Sequence, residues 1–177
     1  MPKKALIALG IVLILGVVLI SNKISRNPSA VSGVQTSNAL DAGANVRASA
    51  NIDKSFTFHA INQNKVSREI KFNIVSVDIK DQIRVQGEER LAPKNSDFLL
   101  VRIEIENTLT ERLALAPSDL VRLEDEKGKL FAPDYHNGNV ILEPISVKKD
   151  LMSFIVKKDT KKFIFQIGEL DKEKQKV

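Results

Sequence analysis

Residues able to do chemistry are few and scattered along this chain. His59 and His136 are the only histidines, and so the only candidate imidazole bases. A His-dependent hydrolase needs a nucleophile and an orienting carboxylate within hydrogen-bond reach of that base. No serine here sits in a Gly-x-Ser-x-Gly elbow. With no cysteine in 177 residues, disulfides, thiolate nucleophiles and thiolate metal sites are excluded. Two distant histidines also fall short of a zinc set. Glu124-Asp125-Glu126, with Asp119 nearby, would suit a hard cation by charge. A calcium loop, however, spaces its acids at alternate positions and closes on a glutamate. Consecutive strand residues point to opposite faces, so the triplet reads as a solvated hairpin turn. Phosphate loops and dinucleotide fingerprints are absent. The chain is therefore expected not to be an enzyme, with no catalytic residue, cofactor or metal assigned. Recognition chemistry concentrates in the loop at residues 133–139, where Asp134, Tyr135, His136 and Asn137 form the candidate binding loop. The competing reading is a plain connection whose Tyr135 packs its ring on the sheet edge.

The elements that would carry these residues are strands. From Ser55 onward apolar residues recur with period two, the pattern of half-buried strands. Phe56, Phe58 and Ala60 alternate with Thr57 and His59, which puts His59 on the polar face. Ile70, Phe72 and Ile74 alternate next, and then Val75, Val77 and Ile79 continue in the opposite phase. A phase flip inside one strand predicts a β-bulge or a crossing between sheets. The clearest strand covers residues 98–106, with Leu99, Val101, Ile103 and Ile105 facing one way. Asp125-Glu126-Lys127-Gly128 reads as a hairpin turn, its glycine placed for positive φ. Late strands cover residues 151–156 and 163–167. The result is an all-β chain, an Ig-like antiparallel β-sandwich of about seven strands.

Ahead of the strands, Met1-Pro2-Lys3-Lys4 is a basic start, and residues 5–20 carry no polar side chain. As a helix this run spans about 24 Å at about 1.5 Å per residue, against a hydrocarbon core of about 30 Å. Lys4 and Lys23 are placed to snorkel to the headgroups. Small residues just before a cut are missing at Ile20-Ser21-Asn22, which favours an uncleaved transmembrane signal-anchor over a cleaved, secreted form. Residues 21–54 are rich in Ser, Asn, Ala and Gly and read as a flexible linker. The domain map is thus a basic start at 1–4, a hydrophobic helix at 5–20, a linker at 21–54, a β-sandwich at 55–170 and a charged, fraying tail at 171–177.

The net charge is +5, with Lys and Arg interspersed among acids. A nucleic-acid binder concentrates its charge on a face or stripe, so none is expected here. The exception is the run Lys157, Lys158, Lys161 and Lys162, which would suit an anionic partner. Lys3 and Lys4 before the apolar segment, against Lys23 and Arg26 after it, tilt orientation towards an extracytoplasmic domain, with a cytoplasmic one as the alternative. Expected partners are the membrane, through the helix, and an envelope protein or cell-surface component.

The long strand ends in Ile105-Glu106-Asn107, and a Ser118-Asp119 step precedes the next. An Asp125-Glu126-Lys127-Gly128-Lys129 turn follows, and Glu143-Pro144 leads towards the strand Ser153-Phe154-Ile155-Val156. In these features residues 65–168 resemble the bacterial exported Ig-like domains of unknown function of the telokin-like, immunoprotective-extracellular-protein class. The resemblance implies an anchored or lipidated, linker-borne β-sandwich, and no catalytic residues. This chain departs from that pattern in two places: it lacks the lipid-attachment cysteine, and Ile145 stands where a glycine often follows the proline.

Overall fold

A computed structural model of the chain describes residues 40–41, 45–169 and 173–177. The expected N-terminal helix at 5–20 and most of the linker lie outside the described residues. Fourteen strands and one helical turn follow in order. They are β1 (Leu40–Asp41), β2 (Val46–Asn62), β3 (Ser67–Lys80), β4 (Gln82–Val85), β5 (Glu88–Leu91), β6 (Ser96–Asn107) and β7 (Leu113–Leu115). Then come α1 (Pro117–Leu120), β8 (Val121–Glu124), β9 (Leu130–Phe131), β10 (Tyr135–His136), β11 (Val140–Leu142), β12 (Ser146–Lys157), β13 (Ile164–Ile167) and β14 (Gln175–Lys176). Six of these strands are two or three residues long, too short to show a period, which is why the sequence suggests about half as many.

Among the described residues all pairings are antiparallel. The central sheet has seven strands in the order β10-β12-β6-β3-β2-β7-β11. Its inner face is the main core. Leu99, Val101, Ile103 and Ile105 of β6 are at most 1% exposed there, beside Phe72 and Ile74 of β3 and Met152 and Phe154 of β12. The four-stranded sheet β14-β13-β8-β9 closes this core with Val121, Leu123, Phe165 and Ile167. Two sheets thus sandwich one apolar layer.

Part of the outer face of the central sheet is covered as well. A small sheet, β1-β4-β5, packs there on Phe98 and Leu100. Leu40 and Ile83 complete this second core, with Tyr135, Leu151 and Ile155 at its margin. The hairpin β4-β5 is unforeseen in the sequence reading. The linker expected to run to residue 54 gives way to strand earlier: β2 begins at Val46, and Leu40 is already buried. In the tail expected to fray, residues 175–177 are paired. Gln175 and Lys176 lie against β13, and Val177 exchanges two 2.9 Å backbone bonds with Phe165.

The phase flip in β3 is a bulge. Ile74 pairs with Ile103 and Ser76 with Arg102, which leaves Val75 as the extra residue. The bulge returns Val77 and Ile79 to the inner face, where they pack on the main core. Without it the period-two rule would turn both outward.

Asn107 ties the far end of the sandwich together. Its amide nitrogen donates to the carbonyls of Glu111 and Glu143, each at 2.9 Å, and its oxygen accepts from Leu109 N at 3.0 Å. The asparagine of the Ile105-Glu106-Asn107 motif is therefore a buried staple between two loops.

Candidate functional site

The bulge in β3 faces a second irregularity. Between the pairs Asn51–Ser76 and Lys54–Ile74, β2 carries Ile52 and Asp53 opposite the single residue Val75. Asp53 takes a positive φ of 47° to do so. Paired irregularities bend both strands and open the outer face beside the small sheet. The result is a depression of about 350 Å³, lined by Leu40, Val75, Arg102, Glu104, Asn137 and Asp150 among others. A neighbouring hollow of about 230 Å³ shares Val75 and Glu104 and adds Asp53, Ser55 and Asn73.

Its charged groups are held in fixed pairs. Asp78 is 4% exposed. It accepts from Ser49 Oγ at 2.7 Å, and from Arg102 Nε and Nη2 at 3.0 and 2.9 Å. The Arg102 side chain remains 39% exposed and forms part of the floor. On the rim, Lys149 Nζ lies 3.4 Å from Glu104. Asn137 Nδ2 donates to Asp150 Oδ1 at 2.5 Å, while Asn137 Oδ1 accepts from Leu40 N at 2.5 Å. Asn73 Oδ1 is buried beside the hollow with no hydrogen-bond partner. A concave surface with anchored charges of both signs can recognise a ligand that carries both donors and acceptors.

The four residues of the candidate binding loop have separate settings. The loop is not wholly irregular: Tyr135 and His136 pair with Ser153 and Met152 as the edge strand β10. Asp134 Oδ2 accepts from Ile155 N at 2.6 Å, which ties that carboxylate to β12. The Tyr135 ring meets Phe98 edge-on at 5.8 Å in the second core. His136 Nδ1 accepts from Gly138 N at 3.0 Å within its own turn. Only Asn137 reaches the depression. Elsewhere, Nδ1 of His59 lies 2.7 Å from Glu169 on the polar side of β2, so the two histidines serve different parts of the molecule.

The acidic triplet is also engaged. Asp125 Oδ1 accepts from the backbone of Lys127 and Lys129, which shapes the hairpin in which Gly128 takes a φ of 77°. Glu124 receives Lys176 Nζ at 2.8 Å and Gln166 Nε2 at 2.8 Å. The Lys176 bond, then the Gln166 bond, hold its carboxyl below the ordinary value of 4.5. Glu111 is likewise lowered, first by the bond from Asn62 and then by that from Arg68. Among the described residues no three His, Asp or Glu side chains converge as a metal set.

Sequence reasoning missed Asp78, Arg102, Glu104, Lys149 and Asp150 as partners. The phase flip at Val75 was their one local signal, because it marks where the outer face opens.

No family model matches the chain, and no curated protein matches it either. Among solved structures, the chain is similar to a conserved hypothetical protein from Bacillus anthracis, with 14% identity and a TM-score of 0.50 over 76% of this chain and 99% of the other. It is also similar to an uncharacterized β-sandwich protein from Clostridium difficile, with 14% identity and a TM-score of 0.46 over 63% of this chain and 85% of the other. The first likeness shows a shared fold and nothing further.

Proposed function

We propose that this chain is a membrane-tethered, extracytoplasmic, non-catalytic binding module. In this reading the apolar segment at 5–20 holds an Ig-like sandwich of the telokin-like class close to the cell membrane. The sandwich binds an envelope protein or cell-surface component. The observation that carries the binding role is the mixed-charge depression over the paired bulges, whose Asp78–Arg102 and Asp150–Asn137 contacts fix its floor in advance. A pre-formed site loses little entropy on binding.

Protease treatment of C-terminally tagged protein tests the placement, in intact cells and in cells stripped of their outer barrier. Digestion from outside, with the full-length chain in the membrane fraction of untreated cells, supports the tether. A domain protected until the membrane is lysed refutes it. A photo-crosslinking side chain at Lys149, which is 82% exposed, tests the site. Crosslinks that disappear when Glu104 and Arg102 are both replaced support the depression as the contact; crosslinks indifferent to both replacements refute it.

A second reading is an accessory subunit docked permanently in an envelope complex. It is favoured by a row on the outer face in which Ile61, Ala114 and Ile141 lie in register across β2, β7 and β11. The two isoleucines are 53% and 49% exposed. Contiguous exposed apolar surface of this kind marks protein contacts.

A further inference from the structure

The lysine run at 157–162 has no part in the depression, and the fold places it with other cations. Lys157 pairs with Ser96, and Lys158 N donates to Asn95 O at 3.1 Å, which sets the β12–β13 turn beside the loop that carries Lys94. Ile164, just past that turn, pairs with Glu124, so the hairpin turn bearing Lys127 and Lys129 lies at the same end of the sandwich. Lys94, Lys127, Lys129, Lys157, Lys158, Lys161 and Lys162 are all exposed. The acids that interleave, Asp81, Asp125, Glu126 and Asp159, are fewer.

Elsewhere several cations are matched: Arg102, Arg112, Lys149 and Lys176 each hold a carboxylate. Among the described residues, Lys94, Lys157, Lys158, Lys161 and Lys162 form no ion pair. The same end exposes large apolar side chains: Leu91 at 75%, Leu130 at 39% and Phe131 at 40%. Unmatched lysines beside exposed Leu and Phe are the composition of a surface that rests on an anionic bilayer, the charges meeting phosphates and the apolar groups entering the headgroup layer.

We infer that this end of the sandwich docks on an anionic phospholipid surface. The inference rests on the tethered reading above. In that reading a flexible segment of about 20 residues would have a typical reach of about 25 Å, within range of the bilayer. Each lysine in contact strengthens partition onto an anionic leaflet by about fivefold. Docking would hold the sandwich in one orientation above the bilayer.

The test uses the full chain reconstituted in lipid nanodiscs, with lysine acetylation by an N-hydroxysuccinimide ester read residue by residue in a mass spectrometer. Discs of phosphatidylcholine alone are compared with discs in which about a third of the lipid is phosphatidylglycerol. Labelling of Lys94, Lys157, Lys158, Lys161 and Lys162 is expected to fall at least about threefold in the anionic discs. It should recover at about 0.5 M salt, where screening is short-ranged. Lys65 and Lys148, exposed towards the other end, serve as references and should not change. Unchanged labelling of the five overturns the inference, as does equal protection in phosphatidylcholine. Protection in phosphatidylcholine discs on adding inorganic phosphate also overturns it, in favour of a free-anion site. Failure of the chain to co-elute with either disc overturns the tether and this inference together, whereas co-elution without selective protection overturns this inference alone.

Discussion

Ile145 is the most informative single position for stability. It follows Pro144 in the turn between β11 and β12 and adopts a φ of 48° while 72% exposed. A β-branched residue in the left-handed region is a genuine outlier, because its branched Cβ crowds the backbone. The strain is worth about 2 kcal/mol. Replacing Ile145 with Gly removes that strain. Against it stand about 0.5–1 kcal/mol from the greater freedom of glycine in the unfolded chain. The partly buried remainder of the side chain contributes about 0.5 kcal/mol more. The net expectation for Ile145→Gly is stabilisation by about 0.5–1 kcal/mol, a rise of about 1–4 °C in Tm. Ile145→Asn should stabilise at least as much, since Asn tolerates this region without the entropy of glycine. Thermal unfolding followed by near-ultraviolet circular dichroism is a clean assay. The chain has no Trp and one Tyr, and Tyr135 sits against Phe98. If the order of stability runs Ile above Asn above Gly, burial outweighs backbone strain at this turn and the reasoning fails.

Asp78→Ala removes the acceptor for Ser49 and Arg102, and should lower stability by about 2–3 kcal/mol, read from urea midpoints. A loss below about 0.5 kcal/mol would mean the pair is solvated and the floor of the depression is not fixed. Asn137→Ala releases Leu40 and Asp150. Hydrogen exchange should quicken in β1 and β4 while the β6–β12 ladder stays protected, and uniform quickening would show that the second core is not a separate unit. Glu124 and Glu111 both have folded values held below 4.5. Their contribution is complete above that value and is lost as pH falls through the lower folded ones. Urea midpoints should therefore decline below about pH 4.5, with a shallower decline in Glu124→Gln, and an identical acid limb in that variant would refute the assignment.

Legibility in the sequence followed the length of each alternating run. Leu99 to Ile105 gave the inner face of β6 correctly, because four apolar residues in phase leave one register. The flip from Ile74 to Val75 exposed the bulge for the same reason. Gly128 marked its hairpin, since it meets the need for positive φ in that turn. In contrast, Ile83 and Val85 alternate too briefly to announce β4, and Leu40 is a lone apolar residue in polar company. Phe98 and Leu100 sit on the face that solvation patterns assign to water, and only the folded-back hairpin explains their burial. The depression was out of reach because its parts come from β1, β3, β6, β12 and the residue after β10, distant in sequence and adjacent only through the fold. Asp134 and Tyr135 were singled out by residue type, and their surroundings give them fastening duties.

Leu40 and Asp41 have a mechanical meaning. Tension arriving along the chain ahead of Leu40 would load a strand of two residues, held by its pairing with β4, one bond from Leu40 N to Asn137 and one buried leucine. Such a clasp yields long before the β2–β3 ladder, which is paired along most of its length. A modest pull would therefore peel β1 from the second core and leave the main sandwich intact. The chain would gain slack, and Leu40 would uncover one wall of the depression. In the tethered reading the first strand would act as a fuse that couples strain in the chain ahead of it to the shape of the outer face.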